Sequence, residues 1–274
     1  MGGASGLIAF FVLTFALTWS AWLASATWGR SQPALFGLGG PIFLLGVFAP
    51  AVVAMGLTVR REGRAGVGRL LARIGRWQVG ATWYVFALAY LATIKLTAAL
   101  LHRIVLGAWP VFGNTDWPLM LGAIAVSTWS QAGEELGWRG YALPRLAAGL
   151  GLGPASIVLG IIWALFHLPL FFMPGSGSDG QSFPIYLLHV TALSVAVAWL
   201  YWRTNGSLLL VMVMHASINN TTDIVPAAVP GASAPFAFSG STMALFTVGL
   251  SWLVAIPLLS QMRGAQLAID GRDD

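Results

Sequence analysis

The chain has 274 residues, 57% of them hydrophobic and only 8% Asp, Glu, Lys or Arg, with no cysteine and a net charge of +5. A water-soluble domain carries about 25% charged residues, so soluble globular, disordered and fibrous classes are excluded. Disulfides, thiol nucleophiles and Cys-ligated metal sites fall with the missing cysteine, and the basic excess reads as Lys and Arg facing anionic lipid, not nucleic acid.

Together with a mean hydropathy of +0.79, this predicts an all-α polytopic membrane bundle, one integral-membrane domain over residues 1–274. A hydrocarbon core of ~30 Å takes about 20 apolar residues per helix. Eight segments are candidates: 7–28, 38–59, 79–101, 118–131, 154–172, 184–202, 208–220 and 242–259. The first is too long for a signal peptide and lacks a basic leader, so it reads as a retained span. The fourth and seventh are short because polar residues cut into their ends.

Charge asymmetry orients the eight. Placing the loop that holds Arg60, Arg61, Arg64, Arg69, Arg73 and Arg76 in the cytoplasm also puts Arg139, Arg145, Arg203, Arg263 and Arg272 inside. Only Arg30 and Arg103 fall outside, and Lys95 sits where it can snorkel outward. The positive-inside rule then predicts both termini cytoplasmic, in a bacterial cell membrane. Within that loop Arg69, Arg73 and Arg76 share one helical face while Leu70, Ile74 and Trp77 share the next. This spacing predicts an amphipathic helix lying against lipid on the inner leaflet. The outer loops 173–183 and 226–240 are rich in Gly, Pro and Ser.

Charge inside a span costs roughly 3 kcal/mol even on lenient scales, so it marks a site or a structural pair. The fourth span ends in Ser130-Gln131-Ala132-Gly133-Glu134-Glu135-Leu136-Gly137-Trp138-Arg139. On a helix Glu135 and Arg139 are i, i+4 neighbours that can pair. Glu134 is rotated by ~100° and left free. The fifth span carries His167 one turn after Trp163, and the seventh carries His215 with Asn219 on the same face. His189 has only Leu188 and Val190 beside it in sequence and reads as structural; His102 reads as interfacial.

A carboxylate and an imidazole can hold and deprotonate a water. A second imidazole and an amide can donate to the oxyanion that forms when water attacks a carbonyl. Amide hydrolysis without a covalent intermediate fits this set. Zinc hydrolysis is its nearest competitor, because Glu and His also ligate zinc, but no H-E-x-x-H is present, and no metal cofactor is expected. Asp116, Asp179 and Asp223 fall in or near outer loops, which leaves no aspartyl dyad.

At these residues the sequence resembles the CAAX protease and bacteriocin-processing (CPBP) family, which includes the type II CAAX prenyl endopeptidases. The family pattern is Glu-Glu-x-x-x-Arg, then an aromatic-x-x-x-His, then His-x-x-x-Asn or a similar polar residue. Here these read Glu134-Glu135-Leu136-Gly137-Trp138-Arg139, Trp163-Ala164-Leu165-Phe166-His167 and His215-Ala216-Ser217-Ile218-Asn219. The second has Trp where Phe is commoner, and the motif-bearing core runs over about 118–221. The resemblance implies an eight-helix intramembrane endopeptidase with its site in a cavity open to the cytoplasm. By that carry-over Glu134 and His167 activate the water, His215 and Asn219 stabilise the oxyanion, and Glu135, Arg139 and Trp163 support the geometry. The implied partners are a peptide or protein substrate near the cytoplasmic leaflet, and membrane lipid. A non-catalytic membrane partner protein and a proton-coupled transporter are the alternative readings. Transport ordinarily brings repeated halves, and no repeat is evident.

Overall fold

A computed structural model describes residues 3–29, 39–114, 116–178, 180–226, 235–238 and 240–267. Regular structure among them is entirely helical: α1 (Gly3–Gly29), α2 (Gly39–Ala72), α3 (Ala81–Leu106), α4 (Trp117–Ser127), α5 (Ala132–Gly137), α6 (Leu143–Leu150), α7 (Leu152–Phe166), α8 (Phe183–Arg203), α9 (Leu208–Thr221) and α10 (Thr242–Gln261). A π-helical turn, Trp138–Ala142, joins α5 to α6. Arg30, Arg272 and Asp179, used above to weigh orientation and chemistry, lie outside the described residues.

Among the described residues six helical stretches are long and apolar enough to cross a membrane: Ser5–Thr27, Gly40–Gly75, Ala81–Leu106, Leu152–Phe172, Phe183–Arg203 and Thr242–Gln261. The chain is therefore an integral multi-pass membrane protein. The other two expected spans are carried by shorter helices. α4 has 11 residues and α9 has 14, about 16 and 21 Å of helix. α9 is enclosed by its neighbours, burying Leu210, Val211, Met214 and His215 among others. Large apolar side chains such as Ile8, Leu45, Val85, Leu119 and Leu253 stay exposed. That is the pattern of a bundle whose rim faces lipid.

Local chemistry sets the helix ends. The hydroxyls of Ser182, Ser207 and Ser241 accept from the backbone N–H three residues on, capping α8, α9 and α10, and Asp116 does the same for α4. Pro118 and Pro184 occupy first-turn positions where no N–H is needed. Gly151, at φ 78° and ψ 161°, is the break between α6 and α7, in a conformation that a side chain opposes. Small residues then let backbones meet. A Cβ on Gly160 of α7 would lie 2.7 Å from Thr191 Cα of α8, and Ser194 donates across the same seam to Ser156 O at 2.9 Å.

Two basic residues are drawn inward here. The Arg-rich helix is the tail of α2, turned at Gly63 (φ 67°, ψ −168°), and part of it docks on protein. Leu70 is buried, and Arg73 is buried too, donating to Tyr201 Oη at 2.9 Å and to Gly140 O at 3.4 Å. Arg76 donates to Asn205 O at 2.6 Å, while Trp77 is exposed. Helical spacing showed a basic face, but the polar acceptors on the α8–α9 turn and the π turn draw that face inward. Lys95 does not snorkel either. It is 2% exposed and donates to Val225 O at 3.0 Å, because the chain after α9 brings a carbonyl to it.

Candidate active site

The site begins with the approach of α5 to α2. Gly133 and Gly137, one turn apart, face α2 where Pro50 interrupts that helix's hydrogen bonding. A Cβ on Gly133 would sit 3.0 Å from Val47 O, and one on Gly137 would sit 2.5 Å from Pro50 Cβ and 2.8 Å from its carbonyl carbon. Only hydrogen fits at Gly137. This close seam, a Gly-x-x-x-Gly spacing, fixes the short helix that carries Glu134 and Glu135. The π turn follows directly, with the Trp138 N–H directed at the carbonyls of both glutamates. Such turns widen a helix and recur at functional positions.

Glu135, Arg139 and His215 form a fully buried chain. Arg139 Nη1 lies 2.8 Å from Glu135 Oε1, and His215 Nδ1 reaches the same oxygen at 2.8 Å. The expected i, i+4 pair is formed. Glu135 Oε2 and the Nε and Nη2 of Arg139 have no protein partner among the described residues. The Arg139 guanidinium instead stacks 4.4 Å from the Trp163 ring centroid.

Glu134 is held differently. Its Oε2 accepts from Trp163 Nε1 at 2.8 Å and from Trp138 Nε1 at 3.1 Å. The carboxylate lies within electrostatic reach of both His167 and His215. Trp163 is the hub of the cluster: its ring meets His215 edge-on at 5.2 Å between centroids and His167 at 6.0 Å. His167 caps the C-terminal end of α7, where Pro169 ends α-helical geometry and a 3₁₀ turn follows. Its Nδ1 is 2.8 Å from Trp163 O. A carbonyl can only accept, so Nδ1 carries the hydrogen and Nε2 is the basic nitrogen of the neutral ring. His215 Nδ1 faces a carboxylate oxygen, which can only accept, so it too carries a hydrogen, directed at Glu135 Oε1.

Six of the seven sequence-predicted residues thus converge: Glu134, Glu135, Arg139, Trp163, His167 and His215. Asn219 is exposed on α9. Its neighbour Asn220 is the one engaged internally, donating to Ala216 O at 2.8 Å and to Ser127 Oγ at 3.0 Å. Three further residues belong to the cluster that sequence reasoning does not single out. Trp138 stands at i+4 from Glu134, a spacing visible in the primary structure. Trp22 and Tyr186 each bring a ring to 6.0 Å from that of His167, and no local pattern marks them. Among the described residues no three His, Asp or Glu side chains converge as a metal-ligand set.

Comparison with known proteins points the same way as the motifs. The sequence model for type II CAAX prenyl endopeptidase Rce1-like proteins matches residues 114–221, the stretch from the start of α4 through α9. A CAAX prenyl protease 2 from Methanococcus maripaludis is 25% identical over 236 residues, covering 79% of this chain and 83% of the relative. Over residues 114–221 the chain is similar to type II CAAX prenyl endopeptidases of the CPBP family. The matched stretch contains every residue of the buried cluster except the flanking Trp22 ring, and α1, α2, α3 and α10 enclose it.

Proposed function

We propose that the chain is an intramembrane endopeptidase that hydrolyses a peptide bond with water activated by Glu134 and His167. The relative's name suggests a prenylated C-terminal substrate of the CAAX kind. One observation carries the reading. A buried carboxylate has one oxygen held by two indole N–H groups and the other without a protein donor among the described residues, beside two imidazoles whose Nδ1 atoms are already engaged.

In this mechanism a water lies between Glu134 Oε1 and His167 Nε2. Glu134 takes its proton as the oxygen attacks the scissile carbonyl. Protonated at Nε2, His215 donates to the developing oxyanion, joined by the Asn219 amide from the exposed side of α9. The proton held by Glu134 then passes to the leaving amine. Glu135 and Arg139 keep the His215 ring in register and do no proton chemistry. Arginine placement argues for both termini in the cytoplasm, with the peptide reached near the inner leaflet.

The test compares membrane-fraction proteomes from cells expressing wild type or Glu134→Gln. A fragment present only with wild type names the substrate, and loss of a general base should cut the rate about 10²–10⁴-fold. His167→Ala should do the same while the protein still inserts. An unchanged phenotype in Glu134→Gln would favour a binding partner over an enzyme. Chelator should leave cleavage intact; inhibition reversed by zinc would overturn the metal-free mechanism.

A further inference from the structure

A second polar chamber lies beside the catalytic cluster, between α3, α8 and α10. It has a volume of about 60 Å³ and is lined by Lys95, Ser182, Tyr186, His189, Thr222 and Thr247 among others. By that measure a water needs about 10–15 Å³, so the space suits a carboxylate and not a large side chain.

Lys95 dominates its chemistry. An ammonium has three donors, and here one goes to Val225 O. No carboxylate of the described residues forms an ion pair with it; Asp223, exposed on the turn after α9, acts on it only from a distance. A cation buried mid-span without an ion partner is costly and marks a pathway or a ligand. His189, read from sequence as lacking polar company, has it in the fold. Ser251 gives its own hydrogen to Thr247 O at 2.7 Å, so its Oγ accepts from His189 Nδ1 at 3.2 Å. That anchors one wall. Tyr186 is the other, and its ring stands 6.0 Å from that of His167. The chamber and the catalytic cluster share this side chain.

We propose that the chamber is a carboxylate-binding subsite, taking the free C-terminal carboxylate of the peptide cut at Glu134. Lys95 supplies the charge, and the Tyr186 and Thr222 hydroxyls supply further donors. The inference rests on the endopeptidase reading above and adds which residues of this chain hold the peptide's end. An extended peptide advances ~3.3–3.6 Å per residue. Two or three residues therefore span roughly 7–11 Å, and Tyr186, whose ring stands 6.0 Å from that of His167, lies within that span.

The test reads binding, not turnover, so it is separable from the hydrolytic mechanism. The full chain carrying Glu134→Gln is titrated in detergent with a fluorescent S-farnesylated Cys-aliphatic-aliphatic-Met peptide, as free acid and as C-terminal amide. The acid should bind about tenfold tighter or more, as a charge-assisted contact implies. Adding Lys95→Met should bring the acid to the amide's affinity and leave the amide unchanged, while Lys95→Arg keeps the preference. Equal binding of acid and amide, binding of neither, or equal loss of both in Lys95→Met would each overturn the subsite. The acid–amide comparison needs no substitution at Lys95, so poor folding of that variant does not block it. A peptide that binds Glu134→Gln yet is left uncut by wild type would count against hydrolysis alone.

Discussion

Trp163 Nε1 donates to Glu134 Oε2 across 2.8 Å, joining α7 to α5 at the glutamate that the Arg139 ion pair leaves free. The indole gives the carboxylate a bond that a phenyl ring in its place would lack. Trp163→Phe should keep the aromatic wall against Arg139 and His215 and lose only that donor, with Trp138 still in place. We expect kcat to fall about tenfold, equivalent to ~1.4 kcal/mol, with little change in melting temperature. Trp163→Ala should also destabilise by about 3–5 kcal/mol, since it empties a buried aromatic site. Steady-state kinetics and thermal melts in detergent separate the two effects.

The Glu135–Arg139 pair has both partners at 0% exposure. Removing one partner of such a pair leaves an uncompensated buried charge and costs about 3–5 kcal/mol, whereas replacing both with apolar residues can be neutral. Glu135→Gln and Arg139→Met should each melt well below wild type. A Glu135→Leu/Arg139→Met double variant should recover much of the loss without recovering activity, because His215 would lose the acceptor for Nδ1. The coupling is read from a double-mutant cycle.

Local spacing reveals what lies on one helix, and the remainder depends on contacts between helices. Glu135 with Arg139, and His167 one turn after Trp163, follow from 3.6 residues per turn. The surroundings of Lys95 and His189 are not legible in sequence because their partners are remote: Val225 is 130 residues from Lys95, and Ser251 is 62 from His189. The inward docking of Arg73 is hidden for the same reason, with Tyr201 lying 128 residues away. Asn219 and Asn220 show the limit of face-counting. Four-residue spacing from His215 selects Asn219, yet the polar contacts inside the bundle belong to Asn220.

That contrast makes a paired prediction. Asn219 is exposed and proposed as an oxyanion donor, so Asn219→Ala should lower kcat by roughly 10²–10³-fold, the usual loss for one such donor, with an unchanged melt. Asn220 bonds Ser127 Oγ and Ala216 O. Asn220→Ala should therefore cost about 1 kcal/mol of stability and leave kcat near wild type. If Asn219→Ala keeps full activity, the oxyanion falls to His215 alone.

Gly137 tests whether the α2–α5 seam sets the catalytic geometry. A Cβ there would overlap Pro50 Cβ at 2.5 Å and the Pro50 carbonyl carbon at 2.8 Å, and that backbone cannot rotate away. Gly137→Ala should thus push α5 outward and carry Glu134 off the two indole donors. Overpacking of this kind costs about 1–3 kcal/mol, and displacements near 1 Å lower rates by about 10²-fold. Gly122 and Gly149, where an added Cβ would meet nothing within 4 Å, are the matched controls. Alanine there should gain up to about 1 kcal/mol from helix propensity and leave cleavage unchanged. A Gly137→Ala enzyme as active as the Gly149→Ala one would mean that the carboxylate's position does not depend on this contact.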